Sequence, residues 1–309
     1  KPFPESGALP SNLSDEQKKF LADDNLRHVL ITRVESPSIS AQWNNNAQSF
    51  VEGIGLGIPV NTSSDPRHGS DSYAEYNAGA GGAISMWPST LGLAATFNPE
   101  IMEKFGTIAS KEYRALGITT ALSPQIDLAT EPRWSRFDGT MGEDPELATD
   151  LARAYVDGFQ NSDSDGWGLQ SVNAMVKHWP GGGPEEGGRD GHFGYGAYAA
   201  YPGNNIKDHM QPFTEGVFKL EGNTKSASAV MPYYTISDGH GEAVGNGFNH
   251  YLITKELREK YGYDGVLCTD WGITRDVSSV SKFEGKPWGV ETLSVAERHF
   301  KAIEAGMDQ

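Results

Sequence analysis

The chain of 309 residues has a single cysteine, Cys268, so no disulfide can form within it and the redox compartment stays open. Long apolar runs are also missing: no stretch approaches the ~18 consecutive apolar residues of a membrane helix, and no span is expected. Positive charge is scarce. Twenty-five Lys and Arg face 41 Asp and Glu, a formal net charge of −16, and there is no basic run. Nucleic-acid binding, which needs clustered cations, is thereby disfavoured. Neither G-x-G-x-x-G nor G-x-x-x-x-G-K-[ST] follows an early strand, which removes the usual phosphate-gripping loops. The eight histidines include no H-x-H and no H-E-x-x-H, and His68, His178 and His192 come from separate segments. No metal and no cofactor is implied. The opening Lys1-Pro2-Phe3-Pro4 lacks the apolar core of a secretory leader, so any leader is expected to have been removed or never present.

What is abundant is glycine, at 37 residues, with 7 Trp, 12 Tyr and 13 Phe to fill a core. Glycine at that level, against the usual ~7%, predicts many turns. Short apolar runs alternate with longer amphipathic ones. Strand-like runs fall at 26–32, 57–63, 118–122, 174–177, 228–231 and 265–269. Helical spacing falls at 39–52, 99–116, 146–159, 208–220, 251–261 and 290–305. Strands that read as continuous apolar runs, alternating with helices, indicate a parallel sheet covered on both faces. A (β/α)8 TIM-like barrel fits best, and an incomplete one is expected, its usual opening strand and the helix after it missing unless 26–32 serves as the first strand. An open doubly wound sheet is the rival. No internal repeat or low-complexity linker divides residues 1–309, which read as one domain.

Polar residues follow the last apolar residue of strand after strand: Asp65, Asp127, Lys177 with His178, Tyr233 with Tyr234, and Asp270. A barrel keeps its active site at that end. Neighbouring strand residues face opposite ways, so one of Tyr233 and Tyr234 should face the site. The segment 179–205, crowded with Gly and aromatics, is too long for an ordinary barrel loop and reads as functional.

Taken together, five motifs resemble those of the family 3 glycoside hydrolases, the β-glucosidase and β-glucan glucohydrolase group. They are Asp65-Pro66-Arg67-His68-Gly69, Glu131-Pro132-Arg133-Trp134-Ser135-Arg136 with Gly142-Glu143-Asp144-Pro145, Lys177-His178-Trp179-Pro180-Gly181, Val230-Met231-Pro232-Tyr233-Tyr234, and Cys268-Thr269-Asp270-Trp271. They keep the family's order and cover nearly the whole chain. The resemblance implies an exo-acting retaining β-glycosidase that releases glucose from β-glucosides or β-glucans. It implies Asp270 as the nucleophile that forms a glycosyl-aspartate. A strand-end Asp also serves to cap a following turn, which is the plainer reading of Asp270 alone. By the same resemblance Lys177, His178, Asp65 and Arg136 bind the sugar, and Tyr234 lies near the nucleophile. His68 and Arg133 read as supporting residues. Trp271 either stacks on a sugar face or packs at the rim. The sequence departs from the family pattern at Ser135, where a Gly is usual, and at Gly139, where a Glu is usual.

Two sources of the catalytic proton remain open. In the β-glucosidase branch it is a glutamate of a C-terminal α/β sandwich domain of the same enzyme, expected here as a partner outside this chain. In the β-N-acetylglucosaminidase branch it is an in-domain Asp/His pair, and Asp190-Gly191-His192 lies at a similar place. Against that branch, Gly182-Gly183 stands where it has a His. A non-catalytic carbohydrate-binding barrel is the alternative from another class. The expected ligand is a β-linked oligosaccharide or glucoside, the expected setting periplasmic or secreted, and the chain alone is expected to be a possibly inactive fragment.

Overall fold

The computed structural model describes residues 9–34, 36–69, 83–161, 166–277 and 285–309, so the Lys1–Pro4 opening lies outside the described residues. Eight strands are defined: β1 (His28–Leu30), β2 (Asn61–Ser64), β3 (Thr120–Ala121), β4 (Asn173–Trp179), β5 (Tyr198–Ala199), β6 (Ala229–Pro232), β7 (Ile236–Ser237) and β8 (Val266–Leu267). Six of them form one parallel sheet in the order β1-β2-β3-β4-β6-β8, which curls into an open, incomplete barrel. β5 and β7 pair separately, also in parallel. The last residues run beside β8, where the amides of Asp308 and Gln309 donate to the Leu267 carbonyl.

Two apolar clusters locate the inside and outside of the curl. Leu122, Met175, Ala229, Met231 and Cys268, with Leu30 against them, come from successive strands and pack on one another inside it. The larger cluster lies between sheet and helices. Burial inside pushes the Cys268 thiol up to about 12, with Asp270 adding to the effect, so Cys268 is a small core residue and not a nucleophile.

Helices begin and end where local chemistry dictates. α1 (Asp15–Ala22) and α7 (Val295–Ala305) start at capping boxes, Ser14 with Gln17 and Ser294 with Glu297. α2 (Pro37–Glu52), α4 (Pro99–Leu116) and α5 (Pro145–Gln160) each pair an N-cap side chain, Ser36, Asn98 or Asp144, with Pro at the first turn. α3 (Thr90–Ala94) and α6 (Ile206–Gln211) are short. Gly117 ends α4 at φ +83°.

Several expectations from pattern shift. The 57–63 strand begins at Asn61. The 208–220 helix is α6 followed by a π-helical stretch, Pro212–Val217, and 251–261 is π-helical over Tyr251–Lys260. The helix expected from 290 starts at Val295 because Ser294 caps it. α1 and α3 were not expected. The 179–205 segment contains β5 and three short 3-10 turns.

α4 and α5 meet through a glycine notch. A Cβ on Gly158 would stand 2.4 Å from the Glu103 carbonyl oxygen, and one on Gly106 2.7 Å from that of Tyr155. Backbone cannot yield cheaply, so Gly158→Ala should part the helices. We expect a loss of about 1–3 kcal/mol in urea denaturation.

Candidate functional site

A cavity opens at the C-terminal ends of the parallel strands, lined by residues that follow β1, β2, β4, β6 and β8. Leu30 and Thr32 stand on one side and Asp270 and Trp271 on another, so the two edges of the curled sheet face the same space. Asp65, Arg136, Lys177, His178, His192 and Tyr234 complete the wall, with Arg67.

β4 supplies two consecutive residues to one cavity. Strand alternation would send Lys177 and His178 to opposite faces, but the register against β6 shifts between Lys177 and Trp179, and this irregularity re-aims one of them. The Lys177 Nζ donates to Asp65 Oδ1 at 2.9 Å, and both side chains are largely buried. Buried charges of opposite sign that meet in this way avoid an uncompensated desolvation cost. The pair joins β2 to β4 across the sheet.

His178 is held by Asp127, which is wholly buried. One Asp127 oxygen accepts from the His178 and Gly182 amides at 3.0 and 2.5 Å. The other lies 2.7 Å from His178 Nδ1. Burial raises the Asp127 carboxyl, and the two amides pull it back. Burial, then Arg136, holds the His178 imidazole well below its ordinary value. A neutral ring that donates Nδ1–H to Asp127 has Nε2 as an acceptor, 3.8 Å from Asp270 Oδ2.

Asp270 follows β8 and is buried. Its Oδ1 accepts from the Trp271 amide at 2.7 Å, while that amide also meets the Tyr234 hydroxyl at 3.2 Å. Burial, then Asp270, pushes the Tyr234 phenol well up, so the hydroxyl keeps its proton. Trp271 is 40% exposed at the cavity rim. Of the two neighbouring tyrosines, Tyr234 lines the cavity. Tyr233 lies behind it, its ring 4.5 Å from that of His178 and 5.5 Å from the Arg136 guanidinium carbon.

Arg136 donates to Gln125 Oε1 at 3.2 Å, and the Gln125 amide donates back to the Arg136 carbonyl at 3.3 Å. A side chain on Gly139 would begin 3.1 Å from that Gln125 oxygen. Gln125 therefore occupies the space beside Gly139, where the family pattern has a Glu. Burial opposes the charge of Arg136, but Tyr233, Asp190 and Asp270 together hold its pKa above the ordinary value.

Asp190 and His192 also come to the site. Asp190 Oδ1 accepts from the His192 amide at 2.9 Å and lies 2.5 Å from its Nδ1. Asp190 Oδ2 accepts from the Trp134 indole at 2.9 Å. Burial raises the Asp190 carboxyl, yet the contact with His192 and the charge of Arg136 outweigh it and hold the group well below its usual range. The His192 ring packs against Tyr234 at 4.7 Å.

Two supporting residues stay outside. His68 meets Glu112 at 2.8 Å and stacks near Tyr113, and Arg133 pairs with Glu131 at the surface. Sequence pattern places Asp127 at a strand end of the site without saying what its carboxylate holds, and it assigns no role to Arg67 or Gln125. Arg67 sits inside the Asp65–Gly69 motif, where its donation to Ser64 Oγ and the Ile31 carbonyl fixes the turn after β2. Among the described residues no group of three or more His, Cys, Asp and Glu could hold a metal, and no helix is long and apolar enough to cross a membrane.

A curled parallel sheet with carboxylates, three cations and aromatic rings converging at its strand ends defines a barrel whose cavity suits a polyhydroxylated ligand. Residues 5–309 match the model of the glycosyl hydrolase family 3 N-terminal domain, and the chain belongs to that family. It is 45% identical over 309 residues to a periplasmic β-glucosidase/β-xylosidase of Dickeya chrysanthemi, covering 94% of this chain and 46% of that protein. It is 41% identical to β-glucosidase C of Emericella nidulans, covering 91% and 44%. The chain thus spans about half the length of these relatives. The fold is similar to that of a family 3 β-N-acetylglucosaminidase from a Paenibacillus species, with a TM-score of 0.75 at 24% identity over 96% of this chain and 51% of that one.

The folded chain binds a proton at His178 less readily than the unfolded chain does. The unfolded state therefore holds more protons just below about pH 6.5, and this residue's contribution to stability falls as pH drops through that range. NMR titration should find His178 neutral at about pH 6, where a free imidazole is largely protonated. A His178 midpoint at or above the free value contradicts the arrangement.

Proposed function

We propose that this chain is the barrel of an exo-acting retaining β-glucosidase. The observation that carries the reading is the placement of Asp270: a buried carboxylate on the cavity wall, across from the Lys177–Asp65 pair and 3.8 Å from His178. In this reading an Asp270 oxygen attacks the anomeric carbon of a β-glucoside while the glycosidic C–O bond breaks. The leaving oxygen takes a proton from a general acid. Water then cleaves the glycosyl-aspartate, giving its proton to the conjugate base of that acid. Asp65 accepts from sugar hydroxyls while Lys177 and Arg136 donate to them. The neutral His178 accepts a hydroxyl proton at Nε2, and Trp271 packs on the C–H face of a ring.

Similarity to the Dickeya β-glucosidase/β-xylosidase and the Emericella β-glucosidase supports glucose as the glycone and leaves xylose within reach. The periplasmic character of the Dickeya protein supports a periplasmic or secreted setting. Family resemblance favours a C-terminal domain of the same enzyme as partner and as source of the acid. A second reading rests on the 2.5 Å contact of Asp190 with His192, in which His192 is the proton donor within the barrel, as in the N-acetylglucosaminidase branch.

Asp270→Ala should lower hydrolysis of an aryl β-glucoside by at least about a thousandfold while sugar binding persists. A 2-deoxy-2-fluoroglucoside should label the wild-type chain on the peptide containing Asp270, as read by mass spectrometry. Label on another peptide sinks the nucleophile assignment. Unchanged biological function in Asp270→Ala points to a non-catalytic binding barrel.

A further inference from the structure

The turn Asp190-Gly191-His192 is gripped at its middle. The Gly191 amide donates to Glu185 Oε1 at 3.3 Å, and the Gly191 carbonyl accepts from the Trp288 indole at 2.8 Å. Gly191 has no room for a side chain: a Cβ would stand 2.8 Å from Thr235 Cγ2, 3.1 Å from a Tyr233 ring carbon and 3.3 Å from Glu185 Oε1. The clamp therefore brings together Glu185 from the start of the loop, Thr235 after β6, and Trp288 from a distant segment. Trp288 is itself tied down, its carbonyl accepting from the Gly245 amide at 2.8 Å.

We propose that Glu185 is a positioning residue for His192: by holding the peptide plane before Gly191 while Trp288 holds the plane after it, it fixes the direction in which the imidazole meets the cavity. With a hydrogen bond on each of the two peptide planes that flank Gly191, neither plane rotates freely, and the His192 Cα–Cβ bond follows the second. Asp190 then fixes the ring itself, through Nδ1. Nothing on the surface competes for Glu185, which is 2% exposed and whose Oε2 meets no hydrogen-bond partner among the described residues. Burial, and next the charge of Asp190, keeps the Glu185 carboxyl well above its ordinary value, with Asp127 acting the same way and Arg136 opposing. Tyr201 and Tyr233 also face it. A neutral carboxyl can accept from Gly191 without bringing a second negative charge against Asp190. An amide would serve equally well, and that makes the idea testable.

The inference deepens the reading in which His192 is the proton donor, and it rests on that reading only for its catalytic consequence. The test compares the chain with Glu185→Gln, Glu185→Ala, Trp288→Phe and His192→Gln, by long-range 1H–15N NMR of the His192 ring and by kcat and KM for an aryl β-glucoside. Expected in the wild type and in Glu185→Gln is a ring held in one orientation, with Nδ1–H on Asp190 and the transferable proton on Nε2. Glu185→Ala and Trp288→Phe should show averaged nitrogen shifts, with kcat down about tenfold or more and KM changed less than twofold. Should Glu185→Ala fail to fold, Trp288→Phe, which keeps an aromatic ring and removes the indole donor, decides the matter. A His192 signature unchanged in the variant that folds overturns the proposal. Full turnover in His192→Gln, with the ring signature still dependent on Glu185, leaves the positioning intact and overturns the proton-donor reading instead.

Discussion

A carboxylate with no exposed surface organises the mouth of this barrel. Asp127 receives the amides of His178 and Gly182 and faces the His178 ring nitrogen. A buried ionised carboxyl costs several kcal/mol unless such donors satisfy it, so the chain leaving β4 must turn back on the segment that follows β3. The turn is tight enough that a Cβ on Gly183 would stand 1.6 Å from the Leu128 carbonyl oxygen. Three consequences follow from this one contact. The His178 proton is kept on the side away from Asp270, the loop bearing Asp190 and His192 leaves the sheet in a set direction, and Gln125, in the same segment as Asp127, comes into place beside Arg136.

Several buried charges around the cavity face an opposite one, and others are satisfied by neutral donors or acceptors. Lys177 answers Asp65, and Arg136 lies within the field of Asp270 and Asp190. Asp190 is held well below its usual range despite burial, whereas burial and the charge of Asp190 push Glu185 well above its own. Two carboxyls so close cannot both be charged at low cost, and their environments push them apart. The same logic keeps His178 neutral between Arg136 and Lys177. A cavity so balanced presents acceptors at Asp65 and His178 and donors at Lys177 and Arg136, which matches the alternating donor and acceptor demands of adjacent sugar hydroxyls.

Much of this was legible in the sequence, for reasons that can be named. β4 and β6 read as continuous apolar runs because both faces are covered, and the helix starts at Pro99 and Pro145 are written in Asn-Pro and Asp-Pro pairs. Asp65, Lys177, His178, Tyr234 and Asp270 could be gathered from one rule, polar residues at strand ends, and the structure brings them to one cavity. What pattern could not show depends on contacts distant in the chain. Trp288 reaches Gly191 across 97 positions, and β5 pairs with β7 in a register that 2 residues apiece are too short to announce. α1 was missed because its apolar face is narrow, with Leu21 its buried apolar residue beside Gln17. The π-helical stretches follow from tertiary packing, since intrinsic propensity does not distinguish them from α-helix.

The acidity of the chain also takes on a different meaning. The net charge of −16 belongs to the chain as a whole and not to the cavity. The cavity is instead close to balance, because Lys177 and Arg136 stand against Asp65 and Asp270, so the surplus lies elsewhere. On the surface Glu215 with Lys219 and Glu259 with Lys255 form pairs at helical spacing, which add nothing to the net charge and contribute little to stability. A surface field of that sign does not oppose a neutral sugar, whereas it would repel a phosphorylated one.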